Sequence, residues 1–487
     1  MKYFFLLACI ILSSISKAQI NFDKFYGQPT INYRFARCVQ QSYDGGYIAV
    51  GSEYTGTYFQ AILLRTNESG DLIWSKTYSS AIGSVDFDKI LVTPDSDYII
   101  TGYINNDIIV IKADSAGNTL WQNCYSNNIL HPMRAFSIRQ TTDEGFIICG
   151  STVIPNGNAD DIFILKIDKL GNINWAKTIG GNGVESAFDV QQCIDGGYIV
   201  AGYTGVSTNW DALLMRLDST GNILWSKTYD GGSLDLFKSV LQTDDGGFIS
   251  VGSLSSEIAI VKTDSNGDTT WTKHESFENA SQVIKTSNNK YVFTGSNFIL
   301  ETDSLGNLLW CSEFTYPFHS TLQQTNDSGF ILTGGYEHEF ELIKTDSNGQ
   351  SECNVILNPV FSSGIYFIMG TPNFWVLDGG LITNNASTSV NWDTVVVQCT
   401  SSGIEPKEKS TFELFPNPTK KQFSVNCQQE AITQIEIFNL IGEKIYTSIS
   451  DREVEQAIIN CENFPKGIYF VKAFSNSGSG VKKIIIQ

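Results

Sequence analysis

The stretch "LLMRLDSTGNILWSKTYDGG", Leu213 to Gly232, recurs along the chain as "VIKADSAGNTLWQNCYS", "ILKIDKLGNINWAKTIGG", "IVKTDSNGDTTWTKHES" and "ILETDSLGNLLWCSEFT". Asp, Gly and Trp keep one register throughout. A tandem unit of this kind constrains the fold more than any other feature. No single copy can bury both of its faces, so the copies must stack on one another. The tryptophans at 74, 121, 175, 225, 271 and 310 set spacings of 39 to 54 residues.

Within one copy, residues 185–232 break into four short apolar segments separated by turn signals, which predicts four antiparallel strands. Asp195-Gly196-Gly197 turns the first strand into the second, and Asp218-Ser219-Thr220-Gly221 turns the third into the fourth. Glycine accepts the positive φ of such hairpins. The first turn recurs at Asp44, Asp95, Asp143, Asp195, Asp245, Asn288 and Asp327; the second ends at Gly70, Gly117, Gly171, Gly221, Gly267, Gly306 and Gly349. Seven copies of each imply seven four-stranded sheets around an axis, an all-β seven-bladed β-propeller over 20–350. Each second strand also holds an internal Gly, from Gly51 to Gly334, which suggests close backbone approach where blades crowd the axis.

The Trp strand occurs six times. Phe22-Asp23-Lys24-Phe25-Tyr26-Gly27 aligns with Trp175-Ala176-Lys177-Thr178-Ile179-Gly180, so the N-terminal strand is expected to complete the last blade and remove an open edge. The tryptophans then read as blade-to-blade packing. The units resemble the β-propeller repeats common in secreted Bacteroidota proteins and, more distantly, quinoprotein propellers with their Asp…Gly-x-x-x-Trp docking motif. That resemblance speaks to fold and not to function.

Residues 1–18, "MKYFFLLACIILSSISKA", have the basic start, apolar run and small-residue end of a secretory signal. The run is too short to span a bilayer. Export permits disulfides, and Cys353 with Cys399 and Cys427 with Cys461 are the candidate pairs; the cysteines at strand positions read as small core residues. A net charge of −19 argues against nucleic acid, whose binding draws on clustered Lys and Arg.

After Gly349 the repeat stops. Residues 351–403 are β-prone and read as strands packed on the propeller or as a spacer; 404–411 form a linker; 412–487 alternate strands with Gly and Pro turns, as a small Ig-like β-sandwich does. Within this tail Pro416-Asn417-Pro418, Leu440-Ile441-Gly442-Glu443-Lys444, Pro465-Lys466-Gly467-Ile468-Tyr469 and the terminal Lys482-Lys483-Ile484 resemble the type A C-terminal sorting domain of the type IX secretion system. The resemblance implies export through the outer membrane by that machinery, removal of the tail by a surface sortase near 401–411, and release or attachment to surface lipopolysaccharide.

Catalytic motifs are missing from the sequence. His338-Glu339 begins like a zinc-protease helix, but residue 342 is Leu. Asp264-Ser265-Asn266-Gly267-Asp268 lacks the closing Glu of a calcium loop and reads as a hairpin turn. No catalytic residue, metal or cofactor is called for. The loops between second and third strands and after fourth strands vary most and share one face of the ring, and such loops on a rigid scaffold are where ligands are met. Tyr58, His131, Asp160 and Trp210 are the candidate contacts. The expected function is noncatalytic binding of an extracellular glycan or protein. An extracellular glycan-active enzyme with axial carboxylates, or a structural adhesin or spacer without a small ligand, are the alternatives.

Overall fold

Period-two alternation between regular turns produces strands, and each repeat yields a four-stranded antiparallel sheet. The computed structural model describes residues 20–26, 33–80, 83–126, 132–153, 160–181, 183–206, 209–255, 257–275, 280–314, 321–334 and 340–351, strand segments between 354 and 396, and most of 412–486. The signal-like residues 1–18 and the linker lie outside them. The chain divides into two compact units, Met1–Cys399 and Thr400–Gln487.

Blade 4 illustrates the unit. Val184–Gln192, Tyr198–Val206, Asn209–Leu217 and Ile223–Asp230 pair in sequence order. Its two tight turns are held by aspartates: Asp195 Oδ1 accepts the Gly197 N–H at 3.1 Å, and Asp218 Oδ1 accepts the N–H groups of Thr220 and Asn222 at 2.8 and 2.9 Å. Gly196 and Gly221 sit at φ +87° and +83°, where a side chain would be strained. Asp264 closes the calcium-like stretch in the same way, accepting from Asn266 and Asp268.

The other blades span 34–79, 85–126, 133–180, 236–275 and 280–314, and the seventh combines 322–345 with Phe22–Tyr26. Phe22 pairs with Lys344 and Tyr26 with Phe340, so the N-terminal strand closes the ring. Among the described residues, seven buried apolar clusters each draw on two adjacent blades, one for every seam. At each seam the strand-four aromatic covers the next blade's second-turn glycine. A Cβ on Gly221 would come within 2.8 Å of Trp175, and one on Gly70 within 2.8 Å of Phe22. Four residues after the aromatic, Tyr26, Tyr125 and Tyr229 each donate to the next blade's turn carbonyl at 2.7 Å. Phe22 therefore does at the closing seam what tryptophan does at the other six.

A bulge in the first strand of six blades leaves Arg37, Asp88, Phe136, Phe188, Lys238 and Ser281 unpaired. In five blades it also explains the second-strand glycine. A Cβ on Gly202 would lie 1.9 Å from the Ser186 carbonyl. The close backbone approach comes from the blade's own bulged strand, and at Gly51 the Phe340 ring of the neighbouring blade adds a second contact, 2.8 Å from where a Cβ would stand.

Among the described residues between 354 and 396, no strands form a sheet of their own. Asn354–Leu357, Ser362–Ser363, Ile368–Gly370, Trp375–Asp378, Leu381–Thr383, Thr388–Asn391 and Val395–Val396 add a fifth antiparallel strand to blades 6, 5, 4, 3, 2, 1 and 7 in turn. The chain thus walks backward around the ring and covers each outer edge, which would otherwise present unpaired backbone groups. Phe22–Tyr26 ends up enclosed between Phe340–Thr345 and Val395–Val396.

The second unit is a sandwich of a three-stranded sheet (Phe412–Phe415, Gln422–Cys427, Gln456–Asn460) and a four-stranded sheet (Lys444–Val454, Ile432–Phe438, Gly467–Ser475, Ser479–Ile486). One core holds residues of both, including Phe423, Ile459, Ile437 and Ile484. Of the sorting residues, Pro416 and Pro465 are exposed, as is Lys483; Tyr469 is buried and donates to the Pro465 carbonyl at 2.7 Å, tying the turn before Gly467. Asn417, Pro418 and Gly442 fall outside the described residues. So do Cys353, Cys399 and the Cys427 side chain, and with them the candidate disulfides; Cys461 is buried in the tail core.

Candidate functional site

In a four-stranded meander the first and third turns emerge on one face of the ring, and the strand 2–3 and blade-to-blade connections on the other. The two faces treat carboxylates in opposite ways. On the turn face the first-turn Asp of six blades meets a basic side chain of strand three: Lys112–Asp95 at 3.0 Å, Lys166–Asp143 at 2.9 Å, Lys262–Asp245 at 2.8 Å, Lys344–Asp327 at 2.9 Å, and the pairs Arg65–Asp44 and Arg216–Asp195. Blade 6 keeps the pair with its signs exchanged, Lys290 on the turn and Glu301 on the strand, 2.9 Å apart. These contacts lower the pKa of Asp95, Asp143, Asp195, Asp245 and Asp327. Hydrogen bonds led by Thr93 hold Asp95 at about 2, and at Asp245 burial is outweighed by Lys262 and Thr243, again giving about 2.

On the opposite face every resolved shift of a carboxylate is upward. Burial, reinforced by Glu185 and Asp160, pushes Asp161 up to about 7. Burial raises Glu185 against hydrogen bonds from the Gly181 N–H at 3.1 Å and Thr204 Oγ1 at 2.9 Å. Asp88 also reaches about 7, through burial and the neighbouring Asp86, with Arg37, Lys89 and Arg134 pulling the other way. Asp211 and Asp235 are raised by burial as well.

Aromatic rings accompany these acids at blades 3 to 5. Tyr203 and Trp210, at facing ends of strands two and three of blade 4, stack with centroids 4.4 Å apart and planes 18° from parallel. Tyr203 meets Phe188 at 5.7 Å, Phe188 meets Phe136 at 5.4 Å, and the Lys238 ammonium stands 3.3 Å from the Phe188 ring centre. The first-strand bulges of blades 3, 4 and 5 supply Phe136, Phe188 and Lys238. The Trp210 Nε1–H and Asp161 Oδ2 have no hydrogen-bond partner among the described residues. Tyr203, Asp161 and Glu185 are buried, while Trp210 and Asp160 are partly exposed; a partly exposed indole face edged by a carboxylate can seat the C–H face of a polyhydroxylated ring and bind its hydroxyls.

Of the residues singled out from sequence, Trp210 lies in this stack, and Asp160 is close enough for its charge to raise the Tyr203 pKa, after burial. Tyr58 is exposed, in a turn where its carbonyl accepts from Thr55, three blades away. His131 falls outside the described residues. Sequence reading missed Tyr203, Asp161, Glu185, Phe188 and Lys238. The signal for Phe136 and Phe188 was present: they stand where the other blades carry Arg37, Asp88, Lys238 and Ser281. Among the described residues, no group of three or more His, Cys, Asp or Glu is arranged to hold a metal ion.

Comparison with known proteins bears on destination. No curated protein matches the sequence. Among solved structures, a protein of unknown function from Bacteroides caccae shares 12% identity with a TM-score of 0.36, over 53% of this chain and 92% of that one. PorZ, an essential surface component of the type-IX secretion system of Porphyromonas gingivalis, shares 11% with a TM-score of 0.38, over 91% of this chain and 58% of that one. A streptogramin B lyase shares 11% with a TM-score of 0.41, over 68% and 100%. Identities this low say nothing of ligand or reaction. Residues 413–487 match the family model described as the secretion system C-terminal sorting domain. The chain therefore carries a type IX sorting tail, which takes it through the outer membrane to the cell surface or the medium.

Proposed function

We propose that this exported propeller is a noncatalytic glycan-binding module, with its ligand seated on Trp210, which Tyr203 backs, and held by Asp160, whose charge adjoins the buried Asp161. The observation that carries the reading is the stacked Tyr203–Trp210 pair beside carboxylates that burial has made poor anions but good hydrogen-bond partners. Sugars offer a flat apolar face and a rim of hydroxyls, and that combination fits. A surface sortase then removes the tail within 401–411, and the mature chain is released or attached to surface lipopolysaccharide.

A second reading is favoured by Asp161 alone: a carboxyl near pKa 7 next to another carboxyl is what a general acid in glycoside cleavage requires. A glycan array probed with the secreted chain, followed by chromatography of each bound glycan after overnight incubation, separates the two. Retention of intact glycan supports binding. Shortened products that disappear in Asp161→Asn make the protein an enzyme, and a blank array at micromolar protein leaves the adhesin or spacer role in its place.

A further inference from the structure

The inner strands of all seven blades enclose an axial cavity of about 340 Å³, near the lower end of the roughly 300–1,000 Å³ usual for small-ligand sites. Its charge is opposite to that of the protein. In a chain of net charge −19, the lining carries four basic side chains, Lys89, Arg139, Lys238 and Lys285, and one acid, Asp189. Arg139 is neutralised by Asp189 at 3.3 Å and Lys285 by Asp244 at 2.6 Å. Asp189 has no charge to spare: it also accepts from Ser137 Oγ and Ser239 Oγ at 2.9 Å each and from the Val240 N–H at 3.2 Å.

Lys89 and Lys238 remain, from blades 2 and 5, without an ion pair among the described residues. Lys238 rests on the Phe188 ring, and burial together with the Lys89 charge holds its pKa down to about 8. Of the acids beside the Lys89 strand, Asp86 meets Arg37 at 3.6 Å, and Asp88 answers to Arg37 and Arg134 as well as to Lys89. Two ammonium groups that line one cavity repel each other, and an anion placed between them removes that cost.

We infer that the axial channel binds a small oxyanion, a carboxylate or phosphate group, between Lys89 and Lys238. The site adjoins the Tyr203–Trp210 platform through Phe188, which meets both Tyr203 and Lys238, and its occupant is chosen by charge. The test is calorimetric titration of the full chain with inorganic phosphate, glucuronate and, as neutral control, glucose. Phosphate or glucuronate is expected to bind and glucose not. Lys238→Met and Lys89→Met are each expected to weaken binding by about tenfold or more, while Trp210→Ala leaves it unchanged. Glucuronate binding alone identifies a sugar acid, and binding of both anions a free oxyanion; either supports the inference. Because Lys238→Met removes an unrelieved charge, its melting temperature is expected to equal or exceed that of the parent. Should that variant fail to fold, the ¹³C-dimethyl-lysine spectrum of the parent decides instead, with phosphate shifting the Lys89 and Lys238 signals. Absence of binding by either anion, equal affinity in the lysine variants, or unmoved lysine signals overturns it.

Discussion

The two faces of the ring are built by different rules. On the turn face every blade repeats one solution: an Asp that organises its own turn, a basic or sign-exchanged partner on strand three, and a glycine beneath the neighbour's aromatic. On the opposite face the blades diverge. Tyr103 holds the place of Tyr203 in blade 2 and Phe59 that of Trp210 in blade 1, but among the described residues only blade 4 brings such a pair into a stack, and Asp161 there is buried beside other acids rather than beside a base. Repetition marks what the ring needs to close, and irregularity marks where one blade differs from the next for a reason other than stability. The contrast says where substitutions should cost folding and where they should cost only binding.

The largest effect is expected from Gly221→Val. It places a β-branched side chain at φ +83° and drives it into Trp175, and a loss of about 3 kcal/mol or more should follow, read as a fall in denaturation midpoint with urea. A smaller loss, on the order of 3 kcal/mol at most, is expected for Asp327→Asn, which leaves the Lys344 ammonium, 1% exposed, without its carboxylate. Lys344→Met in the same chain should recover most of it. On the irregular face, Trp210→Ala is expected to cost about 1 kcal/mol of stability, yet to abolish glycan binding. If Trp210→Ala unfolds the ring or Gly221→Val leaves it intact, the division between the faces fails.

The pH dependence sharpens the same contrast. Asp95 and Asp245, held at about 2, contribute stability that is complete above the unfolded pKa near 4 and is lost as pH falls toward 2. Asp161, raised to about 7, acts with the opposite sign: it costs nothing below pH 4, and its cost grows as pH rises toward 7. Asp161→Asn is thus expected to raise the melting temperature at pH 8 and leave it unchanged at pH 4, whereas Asp245→Asn should lower it at pH 8 and matter least at pH 2. Differential scanning calorimetry at the three pH values checks both.

The regular face was almost wholly legible in the sequence, because a turn must be built from adjacent residues: Asp218, Thr220, Gly221 and Asn222 lie within five positions and make their bonds to one another. The closing strand was legible too, since Phe22 to Gly27 keeps the register of Trp175 to Gly180. The belt of 354–396 was visible only as β-prone sequence. Its strands repeat no motif, and their partners lie as far away as Phe22–Tyr26, so pairing is set by edges that only the folded ring presents. The aromatic platform was half legible. Trp210 and Asp160 stand out in variable loops, but Tyr203 and Asp161 sit inside ordinary strand patterns, and what distinguishes them is the neighbouring blade. The channel lysines were hidden for the same reason: Lys89 and Lys238 are separated by three blades of sequence and line one cavity only once the ring has closed.

The most direct measurement is a calorimetric titration of one array-selected glycan into the full chain and into Trp210→Ala, with the melting temperature recorded on the same samples. The account expects binding by the parent and none by the variant, at melting temperatures within about 5 °C of each other. Equal binding by both, or loss of binding only together with collapse of the fold, would contradict it.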